Sequence, residues 1–185
     1  RIFETYGMSE TLSHIALKQI SPIQEEYFTI LNDVEISVDE RNCLKIFAPK
    51  LNPEILQTND IVELMHFMNS VRKPSVYAQG DKKQFKFLGR FDNVINSGGV
   101  KIFPEVIEEK LAKFISVRFF IASLPDEKLG EKVILVIEGN PFEMEKTLFS
   151  ELSKYQNPKE IVFIENFVET ETNKINRKKT LENRA

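Results

Sequence analysis

The spacing of apolar residues changes once along the chain, and this change constrains the fold more than any other feature. The first half carries short apolar runs with partial alternation, which is typical of strands. These runs occupy residues 14–20, 33–38, 43–48 and 60–68. The second half adds helical spacing between its apolar runs. We therefore predict two folding units with a boundary near Gly89–Asp92.

Two amphipathic helices are predicted in the second half. Pro104 stands at a typical first helical position, with acidic residues early in the segment 104–115, as the helix dipole favours. The other helix is predicted over 141–155, with leucines and a tyrosine on one stripe. With strands predicted at 117–124, 132–139 and 160–167, the order is that of a small α+β layer pair. A hairpin turn is expected at 39–42, and the polar stretch 69–83 is expected to be an extended surface loop or an elaborated hairpin.

Bulk composition excludes several classes of protein. The 185 residues are 42% hydrophobic, enough for one large core or two small ones. A net charge of −3 provides no overall attraction to nucleic acid or anionic membranes. The single cysteine, Cys43, excludes an internal disulfide and fits a reducing, cytoplasmic compartment. No apolar run approaches the roughly 20 residues that span a bilayer, and the opening without Met indicates a piece of a longer protein.

Three polar stretches could carry chemistry. In "ETYGMSET" the Ser9 hydroxyl could contact a phosphate and the Glu10 carboxylate could hold magnesium, or the stretch could be a polar helix cap. Asp60, at the mouth of a predicted strand, could accept two ribose hydroxyls or cap a turn. The basic C-terminal stretch 171–185 could be a solvated tail or could contact nucleic acid.

The order of five short motifs resembles the C-terminal part of the adenylate-forming enzymes. These are "YGMSET", "TND", "GRFDNVINSGG", "LPDEKLGE" and "NKINR", and they extend from Tyr6 to Arg177. This superfamily comprises acyl-CoA synthetases, adenylation domains of peptide synthetases and firefly-type luciferases. "SHIALK" and "LQTNDIVEL" look most like the o-succinylbenzoate–CoA ligases of menaquinone synthesis. The resemblance implies that residues 1–90 are the β-rich, barrel-like end of a large adenylation domain, and that 91–185 form a mobile small α+β domain with a short mixed sheet and packed helices.

The resemblance also implies roles in binding ATP. Tyr6, followed by Gly7, matches the aromatic that stacks on adenine, and Ser9 matches the hydroxyl that contacts phosphate. Glu10 matches the carboxylate that holds Mg²⁺. Asp60 matches the aspartate that binds ribose, and Arg90 matches the arginine that reaches the nucleotide. Asn59 stands where the family has glycine.

Further roles concern domain rotation and the reaction. Asp92 matches the hinge about which the small domain turns between two half-reactions. The loop Ser97–Gly98–Gly99 matches the one that lines the pantetheine channel of coenzyme A, although these glycines could merely end a turn before the helix. Lys174 matches the catalytic lysine that acts with Arg90 to neutralise developing charge, and Asn173 replaces the family glycine before it.

The implied reaction joins a small-molecule carboxylic acid, ATP and coenzyme A, first as an acyl-adenylate and then as a thioester. The family's Gly- and Ser/Thr-rich phosphate-binding loop does not occur in the 185 residues, so we expect this fragment to be inactive without an N-terminal part of the same chain. An adenylation domain that loads a carrier protein remains an alternative, and so does a non-catalytic nucleotide- or nucleic-acid-binding module. Nucleic acid and membranes are not expected partners, and the oligomeric state stays open.

Overall fold

The computed structural model describes residues 1–65, 83–144 and 146–183. The predicted strand end at 66–68 and nearly all of the predicted loop 69–83 lie outside these residues. The chain divides into two compact units, Arg1–Phe91 and Asp92–Ala185. That the first unit ends a large adenylation domain, and that the second is a mobile small domain, stay predictions.

The first unit is built on a seven-stranded antiparallel sheet. Its strands in chain order are β1 (Ile2–Gly7), β2 (His14–Ser21), β3 (Phe28–Ile30), β4 (Glu35–Val38), β5 (Cys43–Ala48), β6 (Asn52–Leu64) and β7 (Gln84–Arg90). Their order across the sheet is β1-β2-β3-β7-β6-β5-β4. Alternate apolar side chains point to one buried face, and Phe28, Leu44, Ile46 and Phe85 lie in its core.

Local patterns located most of these strands. β2 and β5 lie where the apolar runs predicted them, and the 39–42 turn is confirmed by a hydrogen bond from Asn42 N to Asp39 O (3.0 Å). β6 begins at Asn52 rather than at Asp60, because its first half also pairs with β5. The sequence did not predict this half, since its side chains are mostly exposed and it contains Pro53 instead of an apolar run.

The second unit is built on a five-stranded mixed sheet. Its strands are β8 (Ile95–Ser97), β9 (Val100–Ile102), β10 (Phe119–Asp126), β11 (Gly130–Glu138) and β12 (Glu160–Ile164). β11 pairs antiparallel with β10 and β8, and parallel with β12, so the sheet is mixed as predicted. Two helices accompany it, α1 (Pro104–Leu111) and α2 (Arg177–Glu182), and Ile107 and Leu111 of α1 are buried in the core with Leu135 of β11.

The predicted helix over 141–155 is wrong. The described part of this segment contains only a short 3-10 helix, Lys146–Phe149, followed by turns. Leu148 and Leu152 still reach the core, whereas Tyr155 is 54% exposed. The side chain of Gln156 accepts a hydrogen bond from the backbone of Ser153 (3.2 Å) within the turns that follow the 3-10 helix. Burial of the two leucines therefore did not require an α-helix.

The first predicted helix of the second unit is also shorter than expected. α1 ends at Leu111 instead of residue 115, and Phe114, which lies within the predicted helix, is 55% exposed. Among the described residues, no helix has the length and apolar character needed to cross a membrane.

Candidate functional site

Three of the predicted nucleotide residues meet around one carboxylate in the first unit. The hydroxyl of Tyr6 on β1 donates to Oδ2 of Asp60 on β6 (2.5 Å). Nε of Arg90 on β7 lies 3.7 Å from the other oxygen, Oδ1. Asp60 and Arg90 are paired residues in the β6–β7 ladder. We call Tyr6, Asp60 and Arg90 the nucleotide cluster.

The contact between Tyr6 and Asp60 depends on curvature of the sheet. β1 is separated from β6 by β2, β3 and β7. At a spacing of about 4.8 Å between neighbouring strands, a flat sheet would place β1 and β6 roughly 19 Å apart. A direct hydrogen bond between their side chains requires the sheet to curve strongly over its aromatic core. Whether this curvature belongs to a closed, barrel-like subdomain stays a prediction.

The ring of Tyr6 packs against phenylalanines of the core. Its centroid lies 5.0 Å from that of Phe85 in an edge-on arrangement and 5.8 Å from that of Phe28. Burial and the hydrogen bond to Asp60 raise the pKa of Tyr6 far above its usual value, against the smaller effect of Arg90. Tyr6 is therefore a neutral donor that orients the carboxylate. Its stacking on adenine stays a prediction.

The side chains of the nucleotide cluster differ in their exposure to solvent. The Asp60 side chain is 18% exposed and the Arg90 side chain is 57% exposed. An ionised carboxylate has about four acceptor sites, and the Tyr6 hydroxyl uses one of them. The arrangement can therefore accept hydroxyl donors at Asp60 and place a cation beside them.

Gly7 owes its identity to close packing between strands. A Cβ at this position would lie 2.7 Å from Cα of His14 and 2.7 Å from the carbonyl oxygen of Ser13. Both atoms belong to the backbone, at the point where Gly7 pairs with His14 in the β1–β2 ladder. Any side chain would push the strands apart, so glycine has a structural reason here. Its role in binding ATP stays a prediction.

Ser9 and Glu10 are the exposed residues of the 3-10 helix Ser9–Thr11, which follows β1 after Met8. The hydroxyl that holds this turn belongs to the buried Thr11, which accepts from Met8 N (3.1 Å) and donates to Ser13 O (2.7 Å). The polar-cap interpretation of this stretch therefore applies to Thr11. The exposed hydroxyl and carboxylate remain available for the predicted contacts with phosphate and Mg²⁺.

The structure offers no preformed cage for a metal ion in the part of the chain that it describes. Within residues 1–65, 83–144 and 146–183, no group of three His, Cys, Asp or Glu could hold one. The exposed Glu10 fits Mg²⁺ as one protein carboxylate beside phosphate oxygens of a nucleotide, which is how proteins commonly hold this ion.

Sequence reasoning missed an arginine that contacts Asn59, the residue before Asp60. Nη1 of Arg41 donates to Oδ1 of Asn59 (3.1 Å), and its guanidinium lies 5.0 Å from the centre of the Phe91 ring. Arg41 is held in turn by the nearly buried Asp39 (2.8 Å). Burial acts to raise the pKa of Asp39, but hydrogen bonds from Cys43 N, Arg41 and Gln57 prevail and hold it well below its usual range. Asn59, at the family's glycine position, is thus built into a polar network.

In the second unit, Gly98 and Gly99 form the two-residue turn of the β8–β9 hairpin. Their φ angles are +59° and +80°, and Ser97 pairs with Val100 across the turn. Such turns require positive φ at both central residues, which favours glycine. Ser97 is 4% exposed, and its hydroxyl donates to Glu131 O (2.6 Å). The purely structural interpretation of these glycines therefore has a direct basis, whereas their place in a coenzyme A channel stays a prediction. We call residues 95–102 the glycine hairpin.

Lys174 is exposed and follows a tight turn. Thr170 N donates to Lys174 O (2.8 Å), and Glu169 forms a bridge with Ile175. Asn173 has a φ of +58°. Asparagine tolerates this left-handed conformation better than most residues, so it can take the place of the family's glycine. We call residues 169–175 the lysine hairpin. Asp92, the predicted hinge, lies in the 3-10 helix Phe91–Asn93.

The basic C-terminal stretch is not simply solvated. Arg177, at the start of α2, places Nη2 2.9 Å from Oε2 of Glu108 and donates from Nη1 to Ile121 O (3.2 Å). Its guanidinium lies 5.6 Å from the centre of the Phe120 ring. Burial raises the pKa of Glu108 above its usual value, and the charge of Arg177 opposes that rise. This arginine therefore stabilises the second unit, and whether the stretch binds nucleic acid stays untested.

Known proteins resemble the chain over nearly all of its length. A 2-succinylbenzoate–CoA ligase of Listeria monocytogenes is 27% identical over 98% of this chain and 40% of its own length. A mitochondrial acyl-coenzyme A synthetase of Mus musculus is 28% identical over 96% of this chain and 36% of its own. The chain thus spans about two fifths of the length of these relatives. No protein-family model matches the chain.

Solved structures support the fold. The o-succinylbenzoate–coenzyme A synthetase of Bacillus subtilis, solved with ATP and a magnesium ion, aligns with a TM-score of 0.73 over 97% of this chain and 41% of that one. At 18% identity this likeness concerns the fold alone. The predicted resemblance to part of an adenylate-forming acyl-CoA synthetase, most like the o-succinylbenzoate–CoA ligases, is confirmed.

Proposed function

We propose that the chain is part of an ATP-dependent acid–coenzyme A ligase that acts on o-succinylbenzoate in menaquinone biosynthesis. The observation that carries the proposal is the nucleotide cluster, in which three residues assigned to one nucleotide by resemblance meet around the Asp60 carboxylate. They come from three strands far apart in sequence, and nothing in local pattern required them to meet. The likeness to 2-succinylbenzoate–CoA ligases supports the choice of acid.

In the adenylation step, a carboxylate of the acid attacks the α-phosphorus of ATP, and pyrophosphate leaves. Asp60, oriented by the neutral Tyr6, accepts the ribose hydroxyls, and the exposed Arg90 contacts the phosphates. Lys174 neutralises the charge that develops on the α-phosphate. Glu10 would hold Mg²⁺, which would supply further positive charge for this step. Positioning and charge neutralisation suffice for this chemistry, so no protein nucleophile is needed.

In the thioester step, the thiol of coenzyme A attacks the acyl carbonyl of the adenylate, and AMP leaves. The glycine hairpin offers a turn without side chains at Gly98 and Gly99, along which a narrow pantetheine arm could pass. Asp92 is the proposed pivot between the two steps, and residues 91–185 the proposed mobile domain. These assignments rest on the resemblance.

The proposal is tested with the full-length protein that carries this chain. Thioester formation is measured with ATP and coenzyme A from o-succinylbenzoate, benzoate, acetate and a medium-chain fatty acid. Strong preference for o-succinylbenzoate supports the proposal. Turnover of another acid instead would support the ligase reaction but contradict the role in menaquinone biosynthesis. Pyrophosphate exchange without thioester from any acid would instead favour an adenylation domain that loads a carrier protein.

A second measurement tests the expected dependence on the rest of the protein. The 185 residues alone should show no ATP-dependent thioester synthesis, because the phosphate-binding loop expected from the resemblance does not occur in them. Robust synthesis by this fragment would contradict the proposal in its present form.

A further inference from the structure

The motif "LPDEKLGE" contributed to the resemblance but received no role from it. Its residues lie at the end of β10, in the following turn and at the start of β11, next to the glycine hairpin. Asp126 Oδ1 accepts from the backbone N–H groups of Lys128 and Leu129 (both 2.9 Å), which shapes the turn. Leu129 O then accepts from Gly98 N (2.8 Å).

Glu131 makes the most direct contacts with the glycine hairpin. Its Oε2 accepts from the backbone N–H of Asn96 (2.9 Å), and its Oε1 accepts from the Ser123 hydroxyl (2.6 Å). Its backbone carbonyl accepts from the buried Ser97 hydroxyl (2.6 Å). Hydrogen bonds to an ionised acceptor are stronger than neutral ones. The half-buried Glu131 therefore fixes the residues directly before the double glycine.

Glu138, at the other end of β11, contacts the segment just before the lysine hairpin and is linked to the hairpin itself through Arg118. Its Oε1 accepts from Phe167 N (2.7 Å), and its Oε2 lies 3.4 Å from Nη1 of Arg118. Nη2 of the same arginine lies 2.7 Å from Oε1 of Glu169, the first residue of the lysine hairpin. The guanidinium is also 5.8 Å from the centre of the Phe167 ring. The chain entering the lysine hairpin is thus held through Glu138.

We propose that Glu131 and Glu138 are two separate positioning residues, one bracing the glycine hairpin and the other the lysine hairpin. They lie seven residues apart on one strand, which corresponds to roughly 23 Å at about 3.3 Å per residue. β11 is central in its sheet, with buried residues 133–137 between the two glutamates. A rigid strand with a brace near each end can hold two distant loops independently. Building on the proposed function, each brace serves one step of the reaction.

The test uses the full-length protein with the variants Glu131→Ala and Glu138→Ala. Pyrophosphate exchange follows the adenylation step, and reaction of supplied acyl-adenylate with coenzyme A follows the thioester step. Glu131→Ala should raise the KM for coenzyme A about tenfold or more and leave pyrophosphate exchange nearly unchanged. Glu138→Ala should slow pyrophosphate exchange by a similar factor and leave the thioester step nearly unchanged. Equal losses in both steps for either variant, or no loss in either, would overturn the proposal.

Glu131→Gln provides the matched control. The amide oxygen of glutamine can accept from Asn96 N, and its amide NH2 can donate to the Ser123 hydroxyl. The KM for coenzyme A of Glu131→Gln should therefore lie much closer to the wild-type value than that of Glu131→Ala. If glutamine fails to restore it, the carboxylate has a role other than positioning, and the proposal is wrong.

Amide hydrogen exchange separates failure of this proposal from failure of the proposed function. Glu131→Ala should speed exchange at Asn96 and Gly98 without affecting Phe167, and Glu138→Ala should do the reverse. If the wild-type protein catalyses neither step, the proposed function fails, and the exchange pattern still decides whether the two braces act separately.

Discussion

The nucleotide cluster in the first unit and the two hairpins in the second unit differ in how their residues are held. Tyr6 and Arg90 each contact Asp60 directly, and these positions depend on a sheet that curves over an aromatic core. The hairpins instead present backbone conformations with positive φ at Gly98, Gly99 and Asn173, held from outside by other side chains.

This difference indicates which changes each region tolerates. In the nucleotide cluster the identity of each side chain matters, because its partner is another side chain in a partly buried place. In the hairpins the backbone conformation matters more, so a residue that adopts the same φ can replace another. Asn173, which adopts a φ of +58° without being glycine, illustrates this tolerance.

The largest effect is expected from Asp60→Ala. The substitution removes the acceptor of the Tyr6 hydroxyl and the partner of Arg90. It also removes the proposed hydrogen bonds from the ribose hydroxyls to the Asp60 carboxylate. Loss of hydrogen bonds to a charged group costs about 1.5–3 kcal/mol, so the KM for ATP in pyrophosphate exchange should rise about ten- to hundredfold. The matched control is Glu63→Ala, which removes an exposed carboxylate from the same strand and its bond to Tyr27 (3.1 Å). An equal effect of both variants would show that the cluster has no special place in nucleotide binding.

Gly7→Ala should destabilise the first unit through steric conflict. Its new Cβ would meet backbone atoms of Ser13 and His14 at 2.7 Å, and overpacking of this kind costs about 1–3 kcal/mol. The midpoint of urea unfolding should fall accordingly. Gly99→Asn is the counterpart in the second unit, where a Cβ meets nothing within 4 Å and asparagine tolerates the φ of +80°. If Gly99→Asn lowered the unfolding midpoint more than Gly7→Ala, the glycine hairpin and not the β1–β2 contact would be the less tolerant of the two sites.

Tyr6→Phe should change how stability depends on alkaline pH. The folded state raises the pKa of Tyr6, so the unfolded chain releases this proton more readily. The stabilisation is present below the unfolded pKa of about 10 and is lost progressively as the pH rises above it. Urea unfolding between pH 8 and pH 11 should therefore show a shallower decline for Tyr6→Phe than for the wild type.

The control for this pH dependence is Tyr27→Phe. Tyr27 also donates to a carboxylate, Glu63, and this bond raises its pKa, but the pair is exposed to solvent. Removing the Tyr27 hydroxyl should therefore alter the decline of stability with rising pH much less than removing that of Tyr6. A decline in Tyr6→Phe as steep as in the wild type would show that Tyr6 does not contribute.

The smallest effect is expected at Asn173. Replacing it by glycine keeps the left-handed conformation and should change stability by only a few tenths of a kcal/mol, whereas alanine should cost about 1 kcal/mol. Both variants keep Lys174. If Asn173→Ala and Asn173→Gly lowered the unfolding midpoint equally, the asparagine side chain and not its φ angle would be the important feature.

Local sequence patterns predicted much of the fold because their causes are local. The alternation in 43–48 predicts β5 at the same residues, and the proline and acidic start of 104–115 predict the beginning of α1. The predicted helix over 141–155 failed because burial of Leu148 and Leu152 could be met by short turns. The periodic pattern identified the two buried leucines but not the exposed Tyr155, and several backbone conformations can bury the same leucines.

The sequence by itself determined the strand-forming segments, the change of rhythm near residue 90 and, through its motifs, the resemblance to adenylate-forming enzymes. Only the tertiary structure decided that Tyr6 and Arg90 meet at the Asp60 carboxylate. It also decided that Glu131 contacts the glycine hairpin, while Glu138 on the same strand contacts Phe167 just before the lysine hairpin. The physical reason is distance along the chain. Hydrogen bonds between residues tens of positions apart depend on strand order and sheet curvature, which no local pattern of residues encodes.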